Sequence, residues 1–131
     1  MSDSGTSIPE KYLDLFQEPA LGHTSWLNDK GQIVTFPLWV DYDGEHVIAT
    51  SPVGSKKGHS FRERPAVAVS IVSTKDPWHW LSVSGRVVEI VPDTDLAYID
   101  KLSQRYTGAP YQRRTPREIF RISIDRLSHS W

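Results

Sequence analysis

The sequence predicts a mainly β fold, a six-stranded antiparallel barrel with two or three peripheral helices. Short segments rich in Val, Ile, Thr and Trp are separated by turn residues, notably Asn28-Asp29-Lys30-Gly31 and Asp43-Gly44. Helical spacing is confined to stretches near the N-terminus, after Ser55, and between Asp93 and Gly108. A length of 131 residues with 38% hydrophobic and 24% charged residues suits one ordinary domain. Residues 1–7 read as a flexible tail and 8–131 as that domain.

The elements follow in order. Ser7-Ile8-Pro9-Glu10 matches a capping box, opening a helix with Ile8, Tyr12, Leu13, Leu15 and Phe16 on its apolar side. Glu18-Pro19 stops it, because the residue before proline avoids helical geometry. His23 to Leu27, Gln32 to Val40 and His46 to Thr50 read as three strands of a meander, the last two joined through the Asp43-Gly44 hairpin signal. Pro37 lacks a backbone donor, which implies an edge, a bulge or an opening facing a ligand. Pro52 to Pro65 is a turn running into a short basic helix. Strands Ala66 to Val72 and Trp80 to Val91 flank the aromatic loop Lys75 to His79. Asp93-Thr94 caps a helix with Leu96, Ile99, Leu102 and Tyr106 at helical spacing, ended by Gly108, and Ile119 to Ile124 is the last strand.

Composition excludes several function classes. No apolar run approaches the ~20 residues that span a bilayer, and Met1-Ser2-Asp3-Ser4 lacks the order of a signal peptide, so a cytoplasmic location is expected. The absence of cysteine excludes disulfides, thiolate zinc sites and cysteine nucleophiles. The five histidines share no metal-ligand spacing, so no metal site is expected. Neither a nucleophile elbow nor a glycine-rich dinucleotide or P-loop pattern occurs. Net charge is −1, yet residues 1–50 hold eight acids and two bases while residues 101–131 hold two acids and seven bases. Such asymmetry points to an anionic ligand as well as to a solvated face, and a pI near 6.5 argues against nucleic acid.

Ser55-Lys56-Lys57 directly follows a strand and opens a helix, so backbone amides, a hydroxyl and ammonium groups can converge on one phosphate. The plain alternative is a solvated pair of loop lysines. Arg62 and Arg64 extend the positive field. Trp39, Trp78 and Trp80 can line a planar ring or serve as core or interface. Tyr106 and Tyr111 flank Gly108-Ala109-Pro110, a lid or a simple helix terminator.

Six pieces then occur in a distinctive order: Thr35 to Val40, Asp43-Gly44, Ser51 to Lys57, Arg62 with Pro65, Leu81 to Val87, and Tyr106 to Tyr111. Together they resemble the pyridoxamine 5′-phosphate oxidase-like FMN-binding split β-barrel family, and more narrowly its actinobacterial branch that uses the deazaflavin coenzyme F420. The resemblance spans roughly residues 8–127. It implies a homodimer with cofactor sites between subunits. By the same resemblance Pro37, Leu38 and Trp39 lie beside the ring system, Ser51 lies near the ribityl chain, and Ser55, Lys56 and Lys57 hold the phosphate, with Arg62 nearby. Trp78 would border the groove, and Arg113, Arg114 and Arg117 suit the acidic oligoglutamate tail. Ser55 stands where some relatives have arginine, and Gly58-His59 departs from the usual pair. The implied activity is hydride transfer from reduced F420 to a small electron-poor acceptor, an activated alkene, imine or nitro compound. The alternatives are an FMN-dependent oxidase or reductase and a non-catalytic flavin or deazaflavin carrier. No catalytic residue is assigned; Tyr106 and Tyr111 are the candidates for a proton donor.

Overall fold

A computed structural model describes residues 6–131. The expected mainly β architecture is present: one strongly curled antiparallel sheet with a few helices around it, a split barrel. The strands are β1 (Gly22–Leu27), β2 (Ile33–Leu38), β3 (Asp41–Tyr42), β4 (Val47–Pro52), β5 (Ala66–Val72), β6 (Trp80–Pro92), β7 (Arg117–Ile122) and β8 (Arg126–His129). The six longer ones are those expected; β3 and β8 are additional short strands. Their order is β2-β1-β5-β6-β7-β4-β3, with β8 also paired to β6.

The long strand β6 organises the sheet. One edge pairs with β5 from Trp80 to Arg86, while the other pairs first with β8 and then, from Val87 on, with β7, across a register shift between Val87 and Glu89. At the bend the chain after β7 crosses over Gly85. A Cβ at that position would overlap the Ser123 carbonyl oxygen and stand 2.7 Å from its carbon. The crossing is fastened by Ser123 N–H to Arg86 O (2.8 Å) and Asp125 N–H to Ser84 O (3.0 Å).

The alternation expected of half-buried strands holds on β5, where Val67, Val69 and Ile71 point inward and Ala66, Ala68 and Ser70 outward. With Leu81, Val83, Phe120 and Ile122 they form the barrel core. A 3₁₀ helix, Glu10–Phe16, closes one end by burying Tyr12, Leu15 and Phe16. Its N-cap is Pro9, with no side-chain cap bond, so the expected Ser7 capping box is not formed: Ser7 is exposed and lies before the cap. Of the expected tail, residues 1–5 lie outside the described residues, and Thr6 donates its amide to Ile124 O at 3.1 Å.

Two further corrections concern the meander. The second strand ends at Leu38, two residues early, because Trp39 turns away to stack on Tyr106 with ring centroids 5.1 Å apart. The third does not pair with it. The Asp43-Gly44 hairpin joins β4 to the two-residue β3, and β4 lies across the sheet beside β7. Gly44 adopts the positive φ (96°) the turn requires, and Asp43 Oδ1 accepts the amides of Glu45 and His46. Pro37 does sit on an edge strand, β2, opposite His23.

Helix α1 (Lys56–Glu63) follows Ser55, and α2 (Ala97–Thr107) follows an irregular turn at Thr94–Leu96. Asp93 caps α2 as expected, though across that turn: its two carboxylate oxygens accept the Tyr98 and Ile99 amides, both at 2.9 Å. The buried Asp41 docks α2 on the sheet by accepting from Arg105 (3.0 Å) and from the Tyr98 hydroxyl (2.5 Å). Burial and the Asp41 carboxylate push the Tyr98 phenol well above its ordinary range, so it stays a donor.

Candidate functional site

The site forms where the end of β2, the end of β4 and the start of α1 meet. Ser55 is extended, so its side chain is free to cap α1: Oγ accepts from the Gly58 amide at 3.0 Å. Ser51 Oγ lies 2.6 Å from Ser55 Oγ, and Ser51 is only 1% exposed. Ser51 therefore fixes the cap from beneath. The cap leaves the Lys56 and Lys57 side chains at the helix start, the positive end of its dipole.

An apolar groove of about 400 Å³ runs from there along β2, walled by Trp26, Val34, Phe36, Pro37 and Leu38, with Lys56 and Lys57 at its mouth. Lys57 also reaches a smaller niche of about 170 Å³, beside Trp39, Thr50, Tyr111 and Arg117. Trp39 is held there by Tyr106 on one face and by the edge of Tyr111, 5.7 Å away. Burial, with the Arg117 charge second, lowers the Lys57 ammonium to about 8.

This pKa has two consequences of opposite sign. The folded group has a lower pKa than the unfolded one, so between pH 8 and 10.5 the unfolded chain binds the extra proton. The Lys57 contribution to stability of the free protein thus grows through that window and is lost as pH falls through about 8. Anion binding runs the other way, because only the ammonium attracts phosphate. Phosphate-bearing ligands are expected to bind progressively more weakly from pH 7 to pH 9, checked by isothermal titration at several pH values.

The remaining sequence candidates divide. Pro37, Leu38, Trp39, Lys56 and Lys57 are brought together around the two cavities, with Ser55 capping the helix beneath. Arg62 is not: it is ion-paired with Glu118 on β7. Arg114 is likewise engaged, at 2.7 Å from Asp100. Trp78 is 81% exposed in the loop 73–79 and lines neither cavity of this chain. The Tyr106 hydroxyl donates to Ala20 O at 2.6 Å and accepts from the Val40 amide at 3.2 Å. Burial raises its pKa, so the hydroxyl stays protonated, and its backbone bonds make Tyr106 a brace for Trp39. Tyr111 remains at the niche. Arg117, assigned from charge to a surface tail contact, is 7% exposed and faces the niche. Arg117 heads β7, two residues before the strand read from the sequence begins.

A family profile described as pyridoxamine 5′-phosphate oxidase matches residues 8–130. The chain belongs to this family. A solved structure named F420 reductase is 30% identical, with a TM-score of 0.81 over 92% of this chain and 98% of that one. A conserved hypothetical protein from Mycobacterium tuberculosis is 21% identical, with a TM-score of 0.70 over 99% of this chain and 89% of that one. An FAD and heme binding protein from Mycobacterium smegmatis is 19% identical, with a TM-score of 0.66 over 98% and 73% respectively. These two share the fold. No curated protein matches the chain.

Proposed function

We propose that the protein is a deazaflavin-dependent reductase that uses coenzyme F420 to reduce a small electron-poor acceptor. The observation that carries this is the apolar groove along Phe36, Pro37 and Leu38 with two lysines at its mouth: a slot for a planar ring that ends in a phosphate site. The 30% identity to a structure named F420 reductase, over nearly the whole of both chains, favours the deazaflavin over FMN. When bound, reduced F420 supplies a hydride from its C5 carbon. The chain's own residues bind and orient: Lys57 and the Ser55-capped helix hold the phosphate end, and Pro37 to Trp39 flank the ring. Tyr111, which lines the niche, is the candidate to supply a proton.

Titrating the free protein with F420 and with FMN tests the reading. Micromolar binding of F420 with weaker FMN binding is expected; FMN binding with no F420 binding turns the assignment to an FMN-dependent oxidoreductase or a flavin carrier.

The groove is open along one side, and the partner that closes it is a second copy of this chain. Leu27, Ile33, Ala66 and Ala68 form a shallow apolar face, with Ile33 76% exposed, of the kind that subunit contacts cover. Sedimentation is expected to give the mass of two chains, and Ile33→Glu to shift it toward one.

A further inference from the structure

Lys57 and Arg117 are neighbouring cations with no anion between them. Arg117 is 7% exposed, and the groups it meets are neutral: Nη2 donates to Thr50 Oγ1 at 2.9 Å, Nη1 lies 3.5 Å from the Tyr111 hydroxyl, and the guanidinium sits 4.9 Å from the Tyr111 ring centroid. Its Nε is buried and has no hydrogen-bond partner. Among the described residues no carboxylate oxygen lies within 4.0 Å of either cation. Glu118 is taken by Arg62, and Asp93, the acid whose charge reaches Arg117, is spent on the Tyr98 and Ile99 amides. Arg113 adds further repulsion.

Desolvating two like charges side by side is costly unless a third group offsets them. The niche between them is about 170 Å³, room for one compact group and too little for a ring system. Thr50 Oγ1 accepts from Arg117, which leaves its own proton free to donate. We infer that Arg117 is a second anion-binding residue, which clamps with Lys57 and Thr50 a single phosphate group from the β7 side. A phosphate anion offsets the repulsion between the two cations, and the planar guanidinium fork matches two of its oxygens. The inference rests on Lys57 as the phosphate lysine and extends that site from the α1 loop to β7.

The test uses the free protein, inorganic phosphate as probe, and chloride at matched ionic strength as control. Phosphate is expected to raise the melting temperature of the wild type. Arg117→Met and Lys57→Met are each expected to weaken phosphate binding at least tenfold. A response lost in Lys57→Met but kept in Arg117→Met overturns the role of Arg117 and leaves Lys57 standing, whereas no response in the wild type removes both. Should Arg117→Met fail to fold, the Arg117 Nε–H resonance of the wild type decides. It is expected to shift during the titration with the same dissociation constant as the thermal response, and an unmoved resonance overturns the clamp.

Discussion

Lys57→Ala is expected to weaken binding of coenzyme F420 by about 1.5–3 kcal/mol, roughly 10- to 150-fold, the range for hydrogen bonds to charged groups. Lys57 is the one charged side chain that lines both the ring groove and the niche, so no neighbour takes its place. Lys56 is exposed and sits on the groove side only. The fold is not expected to suffer, because removing Lys57 also removes a partly desolvated charge from beside Arg117. Fluorescence titration of the folded variant checks the result, and unchanged affinity would remove Lys57 from the phosphate site.

The largest effect on stability is expected at Gly85. The obstacle to a Cβ there is the backbone carbonyl of Ser123, not the end of a flexible side chain, so relief requires moving the crossing strand. That strand is pinned on both sides of the contact by the Ser123 and Asp125 amides. Gly85→Ala is expected to cost about 3 kcal/mol or more, a fall of roughly 10 °C in melting temperature for a domain of this size. Thermal unfolding of the variant checks it. A loss below about 1 kcal/mol would mean that the crossing yields more readily than its hydrogen bonds suggest.

Local signals made much of this fold legible. Asp43-Gly44, Asn28 to Gly31, Asp93 and Gly108 each specify a turn or a cap by chemistry confined to a few residues, and each is found doing so. Pairing across the sheet was less visible. His46 to Thr50 has the pattern of a strand, but nothing in it says that its long partner is β7, some seventy residues away, and not β2. Strand β8, Arg126–His129, has little strand propensity and exists because β6 offers it an edge.

The site shows the same division. Ser55-Lys56-Lys57 is contiguous, and its chemistry could be read from the chain itself. Arg62, Arg114 and Arg117 all count as positive charge in a sequence, yet the fold neutralises the first two with Glu118 and Asp100 and buries the third. Tyr106 is similar: its hydroxyl looks available until Ala20 and Val40, distant in sequence, are brought against it.

Strand β6 has a thermodynamic consequence for the molecule as a whole. One continuous backbone supplies ladder partners to β5 and β8 in its first half and to β7 in its second, so it ties the two halves of the barrel together. The two halves are therefore expected to melt as one cooperative unit, with amides far from β7 sharing its protection against hydrogen exchange. A ligand that grips only the β4–β7 end stabilises the entire sheet, so occupancy of the site can be read as a single shift of the whole unfolding transition.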